Sequence, residues 1–371
     1  GGGSEPPPPV SLTINSGSNG LVEPFSKRFT EGGMAVKTSF TMAECFFELA
    51  KKHKEQAKED EGNKEAKKKS ESLARRKMRH AEKLLMEALA THRDEEQQAH
   101  AEYLLGNLAQ EYAALSKNDM SKKNSYSDAL ARYKRVVTDY PEASFASKAQ
   151  YKVAWVYDKM SKMEGMDTME KAVDEYVKLA YKYPEDELIP KVMARIGQYF
   201  VGRGKIFKTE AQEFEKKNGE GSGDGVMRKA HMEYLKAAQV YEKLVERFPS
   251  DPLSEISGLA AAMNYMRANF FDKAVTNFEP IIANEELDGE KVRAQAMYWT
   301  GISFEKGAKS TLKLIGSQQR AVQFYNRVRF EFPSSVWAKY ARGRLADPGL
   351  SEAMEKEQLR KERILEQLEN R

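Results

Sequence analysis

Few residues in this sequence could bind a metal or act as a nucleophile. The 371 residues include five histidines and one cysteine. The histidines lack a ligand spacing such as HxxxH with a third partner, so they are expected to be solvated surface residues. They are His53, His80, His92, His100 and His231. Cys45 stands beside Phe46 and Phe47, and we expect it to be a small hydrophobic residue on the core side of a helix.

Two glycine-rich stretches are the only candidates for a phosphate-binding turn. In GRGKIF, residues 202–207, Tyr199 stands where the first glycine of a phosphate loop is needed, and Ile206 replaces its Ser or Thr. No strand pattern precedes GEGSGDG, residues 219–225, so a nucleotide-binding turn is not expected there either. The sequence also has no nucleophile elbow and no paired-carboxylate motif. It therefore predicts a protein that is not an enzyme and uses no cofactor and no metal.

A basic stretch is the next feature with possible binding chemistry. Between Lys51 and His80 there are twelve Lys or Arg residues and six Asp or Glu residues. Interleaved acids and the absence of aromatic residues favour a solvated helical hairpin. The alternative, a basic arm that binds an anionic polymer or a membrane surface, stays open. Its candidate cations are Lys67, Lys68, Lys69, Arg75 and Arg76.

The composition restricts the class of protein. The formal net charge is only +4, so no global attraction to nucleic acid or membrane is implied. A single cysteine excludes an internal disulfide. No apolar run approaches the length of a membrane span, and no signal peptide is recognisable. Because the chain begins with Gly rather than Met, we expect a fragment, a processed form or a tagged chain.

A helical spacing recurs four times along the chain. A small residue is followed by an aromatic four positions later, an apolar residue after seven and a proline after twelve. The aromatic and the apolar residue lie on one helical stripe, the small residue allows close helix crossing, and proline ends the helix. The four copies are Ala129, Tyr133, Val136, Pro141; Ala172, Tyr176, Leu179, Pro184; Ala237, Tyr241, Leu244, Pro249; and Ala321, Tyr325, Val328, Pro333.

A second pattern precedes these helices: an apolar residue, a small residue and, three positions further, an aromatic. It is seen at Val153-Ala154 with Tyr157, and at Ala261-Ala262 with Tyr265. Together the two patterns resemble the tetratricopeptide repeat (TPR) family over roughly residues 25–346. The resemblance implies an all-α fold, a right-handed TPR superhelical solenoid of about six helical hairpins with a C-terminal capping helix.

The distances between the repeated small residues also predict the domain organisation. Residues 1–24 are expected to be a disordered Gly/Ser/Pro linker, 25–349 the solenoid and 350–371 a charged C-terminal helix. Extra residues between the small positions predict two extended hairpin arms, at about 51–78 and 203–233. Their tips carry no large apolar residues, so both arms are expected to stand clear of the core, the first by about 20 Å.

In proteins with the TPR pattern, positions five and nine of each first helix face the concave groove. The resemblance therefore implies a partner-binding face made of Tyr103, Asn107, Tyr151, Trp155, Gln198, Met263 and Tyr298. The Lys and Asn clamp with which chaperone-binding TPR domains hold a terminal carboxylate is absent. The apolar and aromatic character suits a helix or an extended segment of a protein partner, in the groove or at the arms. The alternative, that these tyrosines pack on the preceding hairpin, stays open.

The linkers between hairpins refine the resemblance. YPEASFASKAQ, FPSDPLSEISG and FPSSVWAKYA are similar to linkers of bacterial cell-envelope TPR adaptors, of the outer-membrane assembly lipoprotein and Tol-Pal cell-division coordinator types. This implies a non-catalytic protein–protein interaction scaffold in a cell-envelope assembly, without specific nucleic acid or a membrane span. A periplasmic location is expected by resemblance, and a cytoplasmic one stays open. The two arms and the missing lipid-attachment cysteine depart from that pattern.

Overall fold

A computed structural model of the chain describes residues 33–91, 94–307 and 317–369. Within these ranges the regular elements are helices and no strand occurs. The expected linker at 1–24 and His92 lie outside the described residues. The chain divides into two compact units, Gly1–Ala172 and Val173–Arg371, and each is described by itself.

The first unit contains two long helical hairpins and the first helix of a third. Its helices are α1 (Gly33–Glu59), α2 (Lys64–Thr91), α3 (Glu95–Leu115), α4 (Asp119–Asp139) and α5 (Ala146–Met160). The next helix, α6 (Met169–Lys182), contains the point at which the units divide. Helices α1 and α2 pack together, as do α3 and α4, and α2 also packs on α3.

The second unit contains three hairpins and two terminal helices. Its helices are α7 (Ile189–Asn218), α8 (Asp224–Arg247), α9 (Pro252–Arg267), α10 (Phe271–Ala283), α11 (Ala294–Gly307), α12 (Ser317–Glu331), α13 (Val336–Leu345) and α14 (Pro348–Glu369). Each helix packs on the next one along the chain from α7 to α13, and α14 returns onto α12. The predicted fold class is confirmed: an all-α, TPR-type array of helical hairpins, of which α1/α2 and α7/α8 are the longest.

The repeated residues form the core of these hairpins. Tyr133, Phe278 and Tyr325 are fully buried. A methyl group placed on Gly106 would lie 2.5 Å from Cε1 of Tyr133, so only a residue without a side chain lets α3 approach α4 this closely. The Tyr133 hydroxyl donates to Oδ1 of Asn107 at 2.8 Å, which satisfies its polar atom inside the hairpin.

One glycine of GRGKIF, Gly204, has the same packing role as the repeat glycine Gly197. Gly197 lies against the ring of Tyr241, and Gly204 lies against the ring of Tyr234. Gly204 is two turns beyond Gly197 on α7, and Tyr234 is two turns before Tyr241 on α8. The glycine–tyrosine contact of the repeat therefore occurs a second time, further out along the α7/α8 hairpin.

The first hairpin turns at a short 3₁₀ segment, Asp60–Gly62, but it stands clear of the core over a shorter length than expected. Lys54 forms an ion pair with Glu111 of α3. Arg75 donates to the carbonyl of Leu115, and Glu71 lies 3.2 Å from Lys117. The α3–α4 turn therefore covers the base of the arm as far as Glu71, and only about 10 Å of hairpin extends beyond it, at 1.5 Å per residue.

Cys45 is exposed, so its predicted core-side placement is wrong. The neighbouring Phe47 packs on the core of the first hairpins. A residue two positions from another on a helix points about 200° away from it. Cys45 therefore faces away from the core because Phe47 faces towards it.

The C-terminal helix α14 packs on the last hairpin. Leu350 is buried in the core cluster of the second unit. Glu357 accepts a hydrogen bond from the backbone N–H of Gln318 at 2.9 Å, at the start of α12. Throughout 33–91, 94–307 and 317–369, no helix is both long enough and apolar enough to span a membrane.

Candidate protein-interaction face

The first helices of successive hairpins lie side by side. In the first unit α3 contacts α5, and in the second unit α9 contacts both α7 and α11, while α11 contacts α13. Each row of first helices also packs on the second helices of its hairpins. For example, α3 packs on α4, and α11 packs on α12. We call the side of a row that is turned away from its second helices the first-helix face.

In the first unit, the two candidate residues on α3 take part in packing. The Tyr103 ring is half-buried, 5.8 Å from the Tyr133 ring and 5.4 Å from the Phe145 ring. Burial raises the pKa of Tyr103 above its usual range. Oδ1 of Asn107 accepts a hydrogen bond from the Tyr133 hydroxyl. Both residues therefore help to hold the hairpin together, whatever else they contact.

The two candidate residues on α5 are also half-buried. Two lysines approach the Trp155 ring, with Nζ of Lys152 5.5 Å and Nζ of Lys159 5.0 Å from its centroid. Cation–π contacts of this kind restrict the orientations of the lysine side chains around the ring. Tyr151 lies one turn earlier on the same helix. This part of the face thus offers an aromatic surface with a positive rim.

In the second unit, Tyr298 belongs to an aromatic cluster that links α11 to α13. We use this name for Tyr298, Trp299, Trp337 and Tyr340. The Tyr298 ring is 5.5 Å from Trp337 and 6.0 Å from Tyr340, and the Trp337 ring is 5.8 Å from Tyr340. Tyr298 is only 8% exposed, whereas Tyr340 is 52% exposed. The cluster therefore has a buried base and an accessible ring at its edge.

The other two candidate residues of the second unit have separate environments. Met263 on α9 is half-buried against the core cluster. Gln198 on α7 is exposed and accepts a hydrogen bond from Arg195 at 2.9 Å. Ile256, on α9, is 68% exposed and adds an apolar side chain to this unit's surface.

Trp337 and Tyr340 were missed by sequence reasoning. They stand at the second and fifth positions of α13, which is the first helix of an incomplete seventh hairpin. The spacing that places Tyr298 three residues before Gly301 places Gly343 three residues before Ala346, so the position-five rule does not select Tyr340. The two aromatic residues are brought to the candidate face only by the packing of α13 on α11.

A polar network fixes α13 against α11. Glu305 accepts from the Tyr325 hydroxyl at 2.8 Å and from Nε of Arg344 at 3.2 Å. Burial, together with the Glu305 charge, raises the pKa of Tyr325 well above its usual range. Arg344 also binds Asp347 at 2.7 Å. Because Arg344 is on α13, this network holds the helix that carries Trp337 and Tyr340.

The five cations of the basic stretch do not have a common environment. Arg75 is engaged with the Leu115 carbonyl, and Lys67 lies 3.7 Å from Glu61. Lys68, Lys69 and Arg76 are exposed. A binding site for an anionic polymer formed by all five is therefore not favoured. Among the described His, Cys, Asp and Glu residues, no group of three or more is arranged to hold a metal ion.

No protein-family model and no curated protein sequence matches this chain. The similar solved structures include a tetratricopeptide repeat protein from Parabacteroides merdae, with 14% identity and a TM-score of 0.25 over 80% of this chain and 98% of that one. The TPR2AB domain of yeast Sti1 in its pHSP90 complex gives 14% identity and 0.22 over 80% and 96%. Yeast Tom70 gives 14% identity and 0.18 over 90% and 86%. Superpositions with scores this low carry no argument about this chain, so its fold assignment depends on the helix contacts described above.

Proposed function

We propose that this protein is a non-catalytic protein–protein interaction scaffold. Its proposed principal site is the first-helix face of the second unit, where a helix or extended segment of a partner packs on the aromatic cluster. The observation that carries this proposal is Tyr340, which is half-exposed while its ring packs against Trp337 and Tyr298. Interface hot spots are enriched in Tyr and Trp side chains held in place by their own protein.

The cluster is suited to a partner with an apolar anchor. A rigid aromatic ring loses little conformational entropy on binding, because its neighbours already restrict it. Ile256, exposed on α9, supplies a second apolar contact in the same unit. The proposal covers Met263 and Gln198 as flanking residues, together with Tyr103, Asn107, Tyr151 and Trp155 on the equivalent face of the first unit.

A photo-crosslinking pair tests the site. A benzophenone amino acid replaces Tyr340 in one variant and Phe330 in the other, and both are expressed in the source cells. Phe330 is the matched control, because it is an exposed aromatic residue, 71% accessible, on the second helix α12. We expect a defined crosslinked protein at position 340 and none at 330. We also expect Trp337→Ala to lower the yield at position 340.

Two outcomes would contradict the proposed site. Equal crosslinking at both positions would indicate non-specific adhesion of exposed aromatic residues. Crosslinking at position 340 that survives Trp337→Ala unchanged would show that the cluster does not hold the partner.

We further propose that the scaffold acts in a bacterial cell-envelope assembly, in the periplasm or associated with the envelope. Support comes from the linker sequences alone, which resemble those of envelope TPR adaptors. Fractionation of source cells that carry an epitope tag on the native gene tests this location. Recovery with periplasmic or envelope markers is expected, and recovery with cytoplasmic markers would exclude the envelope proposal while leaving the scaffold proposal intact.

A further inference from the structure

The outer side of the first hairpin carries a groove that none of the described residues covers. It lies between α1 and α2 and has a volume of about 450 Å³. Its apolar lining residues, which we call the floor, are Leu49, Ala66 and Leu73, and its lining also includes the exposed lysines Lys52 and Lys69. The groove is distinct from the aromatic cluster of the second unit.

The groove opens away from the rest of the first unit. On α1, Lys54 faces α3, where it pairs with Glu111, and Lys52 is two positions away from it. On α2, Arg75 faces α3, and Leu73 is two positions away. Because two residues correspond to about 200° of helix rotation, Lys52 and Leu73 lie on the side opposite α3.

The groove has an unbalanced positive charge. Neither Lys52 nor Lys69 has a carboxylate partner among the described residues. Asp60 is the only carboxylate among the lining residues, and it accepts hydrogen bonds from the Ser70 hydroxyl at 3.2 Å and the Gln56 amide at 3.5 Å. The lysines thus remain available to an anionic group from outside.

The pKa values of two nearby histidines reflect the same excess of positive charge. Burial lowers the pKa of His53, and the charges of Lys77 and Lys52 lower it further. Burial and nearby cations, with Lys77 the largest, lower the pKa of His80 as well. An incoming carboxylate would offset these cations.

The groove also exposes apolar surface. Leu49 is 37% exposed. Phe46, half-buried next to it on α1, contacts the His80 ring at 5.3 Å and Nζ of Lys77 at 5.3 Å. An exposed leucine in an otherwise charged groove is suited to an occupant that brings an apolar side chain.

We propose that this groove binds an acidic segment of a partner protein. One Leu or Phe side chain of the segment lies on the floor formed by Leu49 and Leu73, and its carboxylates pair with Lys52 and Lys69. A free phosphate would leave the floor uncovered. The headgroups of an anionic membrane would reach the lysines and likewise leave the floor between the two helices unfilled.

A binding experiment with the full chain tests this inference. The probe is a fluorescein-labelled peptide, Glu-Glu-Leu-Leu-Asp-Glu-Phe-Leu-Glu-Glu, and fluorescence anisotropy reports its binding. We expect a Kd of about 10 to 100 µM at low salt and weaker binding as salt is added. Lys52→Glu with Lys69→Glu should weaken binding at least about tenfold. The matched control is Lys58→Glu with Lys68→Glu, which changes the net charge equally at exposed positions outside the groove and should have little effect.

A second readout uses His53, the histidine that lines the groove. Binding of the peptide should raise the pKa of His53, followed by NMR of its ring protons, because added carboxylates offset the neighbouring lysines. A peptide with Ser in place of Leu and Phe should bind at least about tenfold more weakly, which separates apolar anchoring from charge alone.

Four outcomes would overturn the inference. They are no binding of the peptide at about 1 mM, equal loss in the groove and control variants, and tighter binding to phosphatidylserine vesicles than to the peptide. The fourth is concentration-dependent self-association that the groove variant abolishes, which would make a second copy of this chain the occupant. None of these outcomes affects the aromatic cluster, so a failure here is distinguishable from a failure of the scaffold proposal.

Discussion

A methyl group placed on Gly204 would lie 2.7 Å from Cε1 and 2.8 Å from Cδ1 of Tyr234. Tyr234 cannot easily move aside, because it is only 3% exposed and belongs to a cluster with Ala230 and Ala268. The α7/α8 hairpin is therefore held together beyond its repeat core by a contact that requires glycine.

The first prediction compares two glycines on α7. Gly204→Ala should destabilise the second unit by about 1–2 kcal/mol, because overpacking against Tyr234 outweighs the gain in helix propensity. Gly202 has nothing within 4 Å of its Cβ position, so Gly202→Ala should be neutral or stabilise by up to about 1 kcal/mol. Urea unfolding followed by circular dichroism measures both changes. Equal effects of the two substitutions on stability would mean that the Gly204–Tyr234 contact does not limit how closely α7 approaches α8.

The second prediction concerns Arg75 and its neighbour Arg76. Arg75→Met should destabilise the first unit by about 1–2 kcal/mol, because the carbonyl of Leu115 at the end of α3 loses a charged donor. Arg76 is exposed, so Arg76→Met should change stability by less than about 0.5 kcal/mol. The two variants remove the same charge one residue apart. A similar midpoint for both in urea unfolding would contradict a structural role for Arg75.

The third prediction is a pH dependence caused by His100. Its ring is stacked between Phe40 at 5.0 Å and Phe145 at 4.3 Å, and burial lowers its pKa despite the opposing charges of Glu44 and Glu96. As the pH falls, the unfolded chain takes up this proton first, near the ordinary value of about 6.5. The stability that His100 contributes is therefore fully present above about pH 6.5. It decreases as the pH falls from that value to the lower pKa of the folded state.

The measurement compares wild type with His100→Phe, which keeps an aromatic ring in the stack and removes the proton. Melting temperatures from pH 7.5 to pH 5 should fall more steeply for wild type than for the variant. The other histidines are common to both proteins, so their contribution cancels in the difference. Parallel curves would show that His100 has no lowered pKa in the folded chain.

The sequence alone determined the helical hairpins and their cores. The spacing of Ala129, Tyr133 and Val136, and of its three other copies, is a property of neighbouring turns on one helix, so it can be read without knowing what packs opposite. Proline placement determined where second helices end for the same reason. These short-range patterns were sufficient to predict an all-α, TPR-type array of helical hairpins.

Only the tertiary structure decided the roles of individual polar and small residues. Arg75 and Arg76 are adjacent cations in the sequence, but only one of them meets a carbonyl, forty residues away along the chain. Cys45 directly precedes Phe46 and Phe47 in the sequence and is nevertheless exposed, because helix rotation turns it away from Phe47. A local pattern cannot distinguish such residues, since their partners come from other helices.

In the candidate sites, too, the sequence identified single residues and the tertiary structure brought their partners to them. Tyr298 could be selected from its position in the repeat, but its partners Trp337 and Tyr340 lie on a helix whose hairpin is incomplete, and only packing of α13 on α11 joins them. Lys52 and Lys69 belong to a stretch whose charges interleave in sequence. The turn at Asp60–Gly62 folds the stretch back on itself and places these lysines at one groove, because antiparallel helices bring together residues that are distant along the chain.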